Sequence, residues 1–162
     1  MKRKNKKIIV ATSGGFDPVH IGHTRLFQEA KSLGDELVVI LNNDNWLKQK
    51  KGFVLMSEKE RKEIIESFKP VDKVIITKHC ANSKDMSVCA ELKNLKPDIF
   101  AKGGDRNKED ASKSSSSLNP EQALCKRLGI KVVFNVGRGG KIQSSSWLAK
   151  KFPESIKQFF EI

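Results

Sequence analysis

Short apolar runs alternate along this chain with segments whose apolar residues recur every three or four positions. Five apolar runs predict strands, near residues 7–12, 36–41, 72–77, 98–101 and 130–135. Helical periodicity between them predicts helices near residues 22–33, 57–68, 86–95 and 120–128, with a last one opening at Trp147. Because strands and helices alternate, the pattern predicts an α/β fold with a doubly wound parallel five-stranded sheet and helices on both faces.

Turn and capping residues support several of these boundaries. Gly34 follows the last periodic residue of the first helix, which is typical of a helix C-terminus. Ser57, with Glu60 three positions later, predicts a capping box at the start of the next helix, and Pro70 ends that helix. Residues 106–119 are polar and serine-rich, and they predict a mobile loop that is a candidate lid.

The length and composition indicate one globular domain. The chain has 162 residues, of which 38% are hydrophobic, and we expect a basic tail at 1–7, the domain at 8–150 and a tail helix at 151–162. No apolar run approaches the ~20 residues that span a bilayer. The basic N-terminus precedes only a short apolar run, which favours a strand over a signal peptide and predicts a cytoplasmic protein.

The charge balance narrows the class of partner without choosing one. Thirty-one Lys and Arg against 19 Asp and Glu give a net charge of +12, which favours nucleotides, phosphorylated metabolites or nucleic acid. Cys80, Cys89 and Cys125 form no CxxC pair, so we expect reduced structural thiols and not a zinc or redox site.

The stretch from Ser13 to His23 holds the strongest chemical signal. Two glycines follow the first strand, and a helix begins a few residues later, so the backbone can approach a phosphate at the helix N-terminus. His20 and His23 are three residues apart, which places them on one side of the first helical turn. The alternatives for such a pair are a structural contact or half of a metal site, which would need further ligands.

The sequence Gly14-Gly15-Phe16-Asp17-Pro18-Val19-His20-Ile21-Gly22-His23 resembles the HxGH signature of the nucleotidyltransferase superfamily, in its cytidylyltransferase-like branch. The resemblance covers about residues 8–150 and includes Leu33–Val39, Val71–Ile75 and Lys96–Ile99. Residues 102–105, Lys-Gly-Gly-Asp, most resemble the heptose-1-phosphate adenylyltransferases. The lysines of residues 48–51 resemble a cluster in glycerol-3-phosphate cytidylyltransferase.

This resemblance implies a Rossmann-like fold and a specific reaction. AMP or CMP would pass from ATP or CTP to a phosphorylated sugar or alcohol, by direct in-line attack on the α-phosphate with release of pyrophosphate. Mg²⁺ would be carried by the triphosphate, with no metal ligands from protein side chains. His20 and His23 would be catalytic, donating hydrogen bonds to the α-phosphate oxygens as charge develops there. The resemblance is also compatible with a homodimer.

The resemblance further implies two groups of binding residues. The nucleotide-binding group comprises Gly14, Gly15, Phe16, Asp17, His20, Gly22, His23, Gly103, Asp105, Arg138, Ile142, Ser144 and Ser145. The acceptor-phosphate group comprises Lys48, Lys50, Lys51 and Arg61. Lys141 and Gln143 stand where the family has glycine and serine. The alternatives are an ordinary serine N-cap, a turn aspartate at 105 and a solvated turn for the lysines.

Two other functions remain open from the sequence. The segment from Gly14 to His20 and the pair Ser144 and Ser145 also resemble nicotinamide-mononucleotide adenylyltransferases, although residues 98–105 favour a sugar-phosphate acceptor. A basic nucleic-acid-binding module is the alternative from another class. The chain has no Tyr, and Trp46 and Trp147 are far apart in sequence, so it lacks the stacking platform that such modules use.

Overall fold

The computed structural model describes residues 6–103, 118–139 and 142–151. Their strands are β1 (Ile9–Gly14), β2 (Glu36–Leu41), β3 (Lys73–Ile76), β4 (Ile99–Gly103) and β5 (Lys131–Val136). The helices are α1 (Ile21–Ser32), α2 (Asp44–Lys51), α3 (Glu58–Glu66), α4 (Cys89–Leu95), α5 (Leu118–Leu128) and α6 (residues 145–151). Asp105, nearly all of the predicted loop at 106–119, and most of both predicted tails lie outside the described residues.

The sheet confirms the predicted doubly wound parallel fold. Its strands are all parallel and lie in the order β3-β2-β1-β4-β5. From β1 the chain builds outward through β2 to β3, and then crosses to the other side of β1 to form β4 and β5. The loops that follow β1 and β4 therefore diverge, and a cleft opens between them at the carboxyl ends of the strands.

Helices cover both faces of the sheet because alternate strand residues point to opposite sides. On one face, Leu26 and Phe27 of α1 and Ile65 of α3 pack on strand residues that include Val10 and Val39. On the other face, Leu92 of α4 and Leu124 of α5 pack on strand residues that include Ala11 and Phe100. The strands are apolar on both sides, which explains why the sequence shows them as nearly continuous apolar runs.

Helix α2 is a departure from the sequence pattern, which predicts no helix between residues 42 and 51. The side chain of Asn43 accepts a hydrogen bond from the backbone N–H of Trp46 at 3.0 Å and so caps the helix. Gly52 ends it in the left-handed region, with φ of 84°. The lysines predicted for the acceptor therefore lie on a helix and not in a turn, although Lys48 and Lys50 are exposed to solvent, as that alternative expected.

Helix α4 begins at Cys89, later than the predicted start near residue 86. The cause is local, because the carboxylate of Asp85 accepts a hydrogen bond from the backbone N–H of Ser87 at 2.9 Å. Such a side-chain contact holds the backbone in a turn and competes with helix formation. The delayed start leaves Met86 and Val88 at the edge of the cleft.

Candidate active site

The cleft between β1 and β4 encloses about 330 Å³ and collects residues from several distant segments. Most of the predicted nucleotide-binding residues line it: Gly14, Gly15, Phe16, His20, Gly22, His23, Gly103, Ile142, Ser144 and Ser145. They come from the ends of β1 and β4, the start of α1 and the start of α6. The fold therefore brings together residues that are more than a hundred positions apart in sequence.

The two histidines of the cleft hold each other in place at the start of α1. Nδ1 of His20 accepts a hydrogen bond from the backbone N–H of Gly22 at 3.1 Å, and Nδ1 of His23 accepts one from the backbone N–H of His20 at 3.2 Å. The two rings stack with centroids 3.7 Å apart. Because each Nδ1 is an acceptor, each neutral ring carries its proton on Nε2, the tautomer that can donate to a phosphate oxygen.

The protonation state of His23 follows from its surroundings. Burial, together with the nearby charges of His20 and Lys51, lowers the pKa of His23 from 6.5 to about 3. His23 is therefore neutral at pH 7 and offers a hydrogen bond without a formal charge. The ring of Phe16 meets the His23 ring edge-on with centroids 4.8 Å apart, which fixes its orientation from the core side.

Glycine is required at two positions around this pair. A Cβ on Gly22 would lie 3.0 Å from Cε1 of His20, and a Cβ on Gly14 would lie 2.9 Å from Cζ of Phe16. Either methyl group would displace a ring that orients the histidines. The glycines of the motif thus allow close packing of aromatic rings as well as the approach of a ligand to the backbone.

Asp17 does not present its carboxylate to the cleft. The residue is 1% exposed, and its two carboxylate oxygens accept hydrogen bonds from the backbone N–H groups of Leu55 at 2.7 Å and Met56 at 2.8 Å. This carboxylate thereby fixes the loop before α3 to the histidine segment. The expectation that Asp17 contacts the nucleotide is wrong for its side chain, since both oxygens are occupied inside the protein.

Arg61 is likewise an internal anchor. Its side chain is fully buried and donates hydrogen bonds to the carbonyl oxygens of Gly15 at 2.6 Å, Asn42 at 2.8 Å and Met56 at 2.9 Å. It also pairs with the carboxylate of Asp44 at 2.7 Å. The expectation that Arg61 binds the acceptor phosphate is wrong, because its guanidinium is committed to the loops that follow β1 and β2.

The structure separates the three lysines of α2. Lys51 lines the cleft, whereas Lys48 and Lys50 are exposed and lie outside the cleft lining. Burial is the main reason that the pKa of Lys51 is lowered; the carboxylate of Asp17 opposes this shift and Arg61 adds to it. Of this lysine cluster, Lys51 is the residue placed to meet a ligand in the cleft.

The start of α6 lines the cleft with Ser144 and Ser145. The Ser145 hydroxyl donates a hydrogen bond to the carbonyl oxygen of Pro18 at 2.9 Å, which ties α6 to the histidine segment. The Ser144 carbonyl accepts from the backbone N–H of Leu148 at 3.1 Å, as expected for a residue at a helix start. Arg138 is exposed and outside the cleft lining, and its carbonyl accepts a hydrogen bond from Arg25.

Several cleft residues were missed by sequence reasoning. Lys102 and Glu121 form a buried ion pair in the cleft, and Trp46 and Met86 line its α2 side, where the indole N–H of Trp46 donates to the Met86 carbonyl at 2.8 Å. The sequence did offer a signal for Lys102, because it is the first residue of the Lys-Gly-Gly-Asp motif and directly follows the strand predicted at 98–101. Glu121, Trp46 and Met86 belong to no motif, and only the fold brings them to the cleft.

The comparisons with known proteins agree with this geometry. A sequence model of the cytidylyltransferase-like family matches residues 11–136. The chain belongs to this family. It is therefore a nucleotidyltransferase, and the HxGH resemblance is confirmed at the level of the family. The matched residues run from β1 to the end of β5 and so contain the histidine segment, α2 and both members of the buried ion pair.

Relatives of the chain include enzymes with two different names. It is 42% identical over 105 residues to the FAD synthase of Thermococcus sibiricus, covering 64% of this chain and 68% of that protein. It is also 42% identical over 109 residues to the bifunctional protein HldE of Helicobacter pylori strain J99, covering 65% of this chain but only 22% of HldE. The chain thus spans about a fifth of HldE.

A solved structure shows the same fold. The lipopolysaccharide core biosynthesis protein of Thermoplasma volcanium aligns with a TM-score of 0.61 and 27% sequence identity, over 82% of this chain and 98% of that one. Among the residues that the structure describes, no helix is long and apolar enough to cross a membrane. Within the same residues, no three His, Cys, Asp or Glu side chains are grouped to hold a metal ion.

Proposed function

We propose that this nucleotidyltransferase transfers AMP from ATP to the phosphate of a small phosphorylated acceptor, with a sugar 1-phosphate as the favoured acceptor class and CTP as the alternative donor. The observation that carries the proposal is the histidine pair, which is locked in the donating tautomer inside a cleft at the carboxyl ends of β1 and β4. The names of the relatives support adenylyl transfer. The Lys-Gly-Gly-Asp motif supports the sugar phosphate.

The proposed chemistry is a single in-line displacement. An oxygen of the acceptor phosphate attacks the α-phosphorus, the bond from that phosphorus to the bridging oxygen breaks, and pyrophosphate leaves with the electron pair. The acceptor phosphate is already ionised at pH 7, so no general base is needed. Nε2–H groups of His20 and His23 donate to the α-phosphate oxygens, where negative charge increases in the transition state.

The remaining site residues are assigned to the ends of the substrates. At the start of α6, Ser144 binds the β- and γ-phosphates through its hydroxyl and Ser145 through its backbone N–H, since the Ser145 hydroxyl and the Ser144 N–H already donate to Pro18 and Gln143. Gly103 approaches the nucleoside, and Lys51 binds the acceptor phosphate from the α2 side. Mg²⁺ enters as part of the Mg²⁺–nucleotide substrate and neutralises triphosphate charge, since it prefers phosphate and water oxygens.

A pyrophosphate-release screen tests this function. ATP and CTP are each incubated with Mg²⁺ and the chain, together with D-glycero-D-manno-heptose 1-phosphate, glycerol 3-phosphate, FMN or nicotinamide mononucleotide. We expect turnover with ATP and the sugar 1-phosphate, and loss of that turnover in a variant carrying both H20A and H23A. Turnover with FMN or nicotinamide mononucleotide alone would overturn the acceptor class. Salt-dependent RNA binding without turnover in any arm would overturn the enzyme function itself.

A further inference from the structure

Lys102 enters the cleft from the face of the sheet opposite the histidines. It lies two positions after Phe100 on β4, and the two side chains point to the same side, with the Lys102 ammonium 4.1 Å from the centre of the Phe100 ring. That side is the one covered by α4 and α5. The histidines belong to α1, which covers the other side. A ligand between β1 and β4 therefore has the imidazoles on one side and Lys102 on the other.

A buried partner holds this ammonium in place. Nζ of Lys102 lies 2.7 Å from Oε2 of Glu121 and donates to the Ser13 hydroxyl at 3.3 Å, and the two charged side chains are only 9% and 6% exposed. The other carboxylate oxygen of Glu121 accepts a hydrogen bond from the backbone N–H of Val88 at 3.1 Å. Glu121 is thus fixed at both oxygens, and Lys102 is fixed by it.

Stability alone does not account for this pair. Desolvating an ammonium and a carboxylate costs so much that replacing such a pair by neutral side chains of similar volume is often neutral or stabilising. An ammonium also has three hydrogens to donate. Two are directed at Glu121 and Ser13, and the ammonium also lies over the Phe100 ring. Because Lys102 lines the cleft, we assign its third hydrogen to a ligand there.

We propose that Lys102 contacts the α-phosphate of the bound nucleotide from the side opposite the histidines, and that Glu121 is a positioning residue that holds the Lys102 ammonium in that place. This inference rests on the proposed nucleotidyl transfer. Because His23 is neutral at pH 7, its imidazole supplies a hydrogen bond without a full positive charge. Lys51 lies on the acceptor side, near α2, which leaves Lys102 as the lysine on the β4 side of the cleft lining.

The test uses a charge-neutral pair variant, K102M/E121Q. Removing one partner alone leaves a buried unpaired charge and risks unfolding, whereas the pair variant removes both charges together. The affinities for ATP, CTP and AMP are measured by titration calorimetry, turnover by pyrophosphate release, and Tm by calorimetry. We expect a Tm within a few degrees of the wild type, about tenfold weaker binding of both ATP and AMP, and turnover reduced by about a hundredfold or more. AMP is included because it carries the α-phosphate alone.

The matched control is K62M/E66Q, which removes a Lys–Glu pair of the same length on the surface of α3. It should leave both nucleotide affinity and turnover within twofold of the wild type. The single variant E121Q tests the positioning role, because its amide oxygen can still accept from Val88 while the charge that holds Lys102 is gone. The Tm of E121Q is measured first, and turnover and AMP affinity are read at a temperature at which the variant is folded. There we expect E121Q to lose turnover nearly as fully as the pair variant.

The outcomes separate this inference from the proposed function. If K102M/E121Q keeps wild-type affinity for AMP and wild-type turnover at an unchanged Tm, the pair is structural and Lys102 does not contact the phosphate. If E121Q keeps full turnover, Glu121 has no positioning role. If the wild type binds nucleotides and the pair variant does not, while no acceptor supports turnover, the proposed acceptor chemistry fails and the Lys102 assignment stands.

Discussion

The histidine side of the cleft and the α2 side are held by different kinds of contact. On the histidine side, the segment after β1 is fixed by two buried charged groups, because Arg61 holds the Gly15 carbonyl and Asp17 holds the loop before α3. On the α2 side, Arg61 reaches only the start of the helix, at Asn42 and Asp44. The ties from α2 to the loop before α4 are neutral: the Asn43 amide donates to the carbonyl of His79 at 2.8 Å, and the Trp46 indole donates to that of Met86 at 2.8 Å.

This difference indicates that the two sides of the cleft have different roles. Hydrogen bonds to charged groups stabilise by about 1.5–3 kcal/mol each and neutral ones by about 0.5–1.5 kcal/mol. The strongly tied side carries the groups that must be preorganised for the transition state. The α2 side carries Lys51, which we assign to the acceptor phosphate, together with Trp46 and Met86. Sequence changes there can therefore alter the acceptor without disturbing the histidines.

The largest expected effect comes from replacing either histidine by asparagine. Asn can still accept the backbone hydrogen bond that Nδ1 of His20 or His23 accepts, so the start of α1 is kept. It lacks the Nε2–H donor, and the loss of such a donor typically lowers kcat by about 10²–10³-fold. Pyrophosphate release measures the loss, and thermal unfolding verifies the fold. Full activity in both H20N and H23N would show that this side is not the catalytic one.

The next effect concerns stability. In R61M the carbonyl groups of Gly15 and Asn42 and the carboxylate of Asp44 lose their buried donor, so we expect the free energy of unfolding to fall by about 3 kcal/mol. Urea denaturation measures it, with K62M on the next residue as a control expected to change it by less than about 0.5 kcal/mol. If Arg61 bound the acceptor, R61M would instead raise the acceptor KM and leave stability unchanged.

The parts of the fold that the sequence predicted are those in which the signal is local. All five strands, α1, α3 and α5 lie within a few residues of their predicted positions, because buried apolar runs and helical stripes are visible in short windows. The capping box of Ser57 and Glu60 is confirmed, with the Ser57 N–H donating to the Glu60 carboxylate at 2.8 Å. Helix α2 was missed because only Trp46 and Leu47 are apolar in it.

The roles of charged residues were harder to predict because their partners are distant in sequence. Asp17 belongs to the histidine motif and Arg61 to helix α3, yet Asp17 binds residues 38 and 39 positions away and Arg61 reaches Gly15 across 46 positions, and the fold turned both inward. Lys102 and Glu121 show the reverse case, since neither was assigned a role and the fold placed both in the cleft. A sequence motif predicts which segment approaches the ligand, but tertiary packing decides which of its side chains face it.

The pH dependence of stability tests whether His23 is held neutral. Its pKa is about 3 in the folded protein and 6.5 when unfolded, so between these values the unfolded state binds more protons. The contribution of His23 to the free energy of unfolding is therefore fully present above about pH 6.5. It falls as the pH is lowered, by about 2 kcal/mol between pH 7 and pH 5. Urea denaturation at the two values measures the loss. Between pH 7 and pH 5, the free energy of unfolding of H23N should fall by about 2 kcal/mol less than that of the wild type. Equal losses in the two proteins would contradict the burial of a neutral His23.

The smallest expected effect separates the lysines of α2. Lys51 lines the cleft, whereas Lys50 is exposed beside it, so K50A is a matched control for K51A. We expect K51A to raise the acceptor KM about tenfold with little change in kcat, because a contact made equally in the ground and transition states affects binding alone, and about 1.4 kcal/mol corresponds to that factor. K50A should keep the acceptor KM within twofold of the wild-type value. If K50A raises the acceptor KM as much as K51A does, the acceptor phosphate is bound by the charge of the whole helix, and the α2 side recognises it without a defined contact.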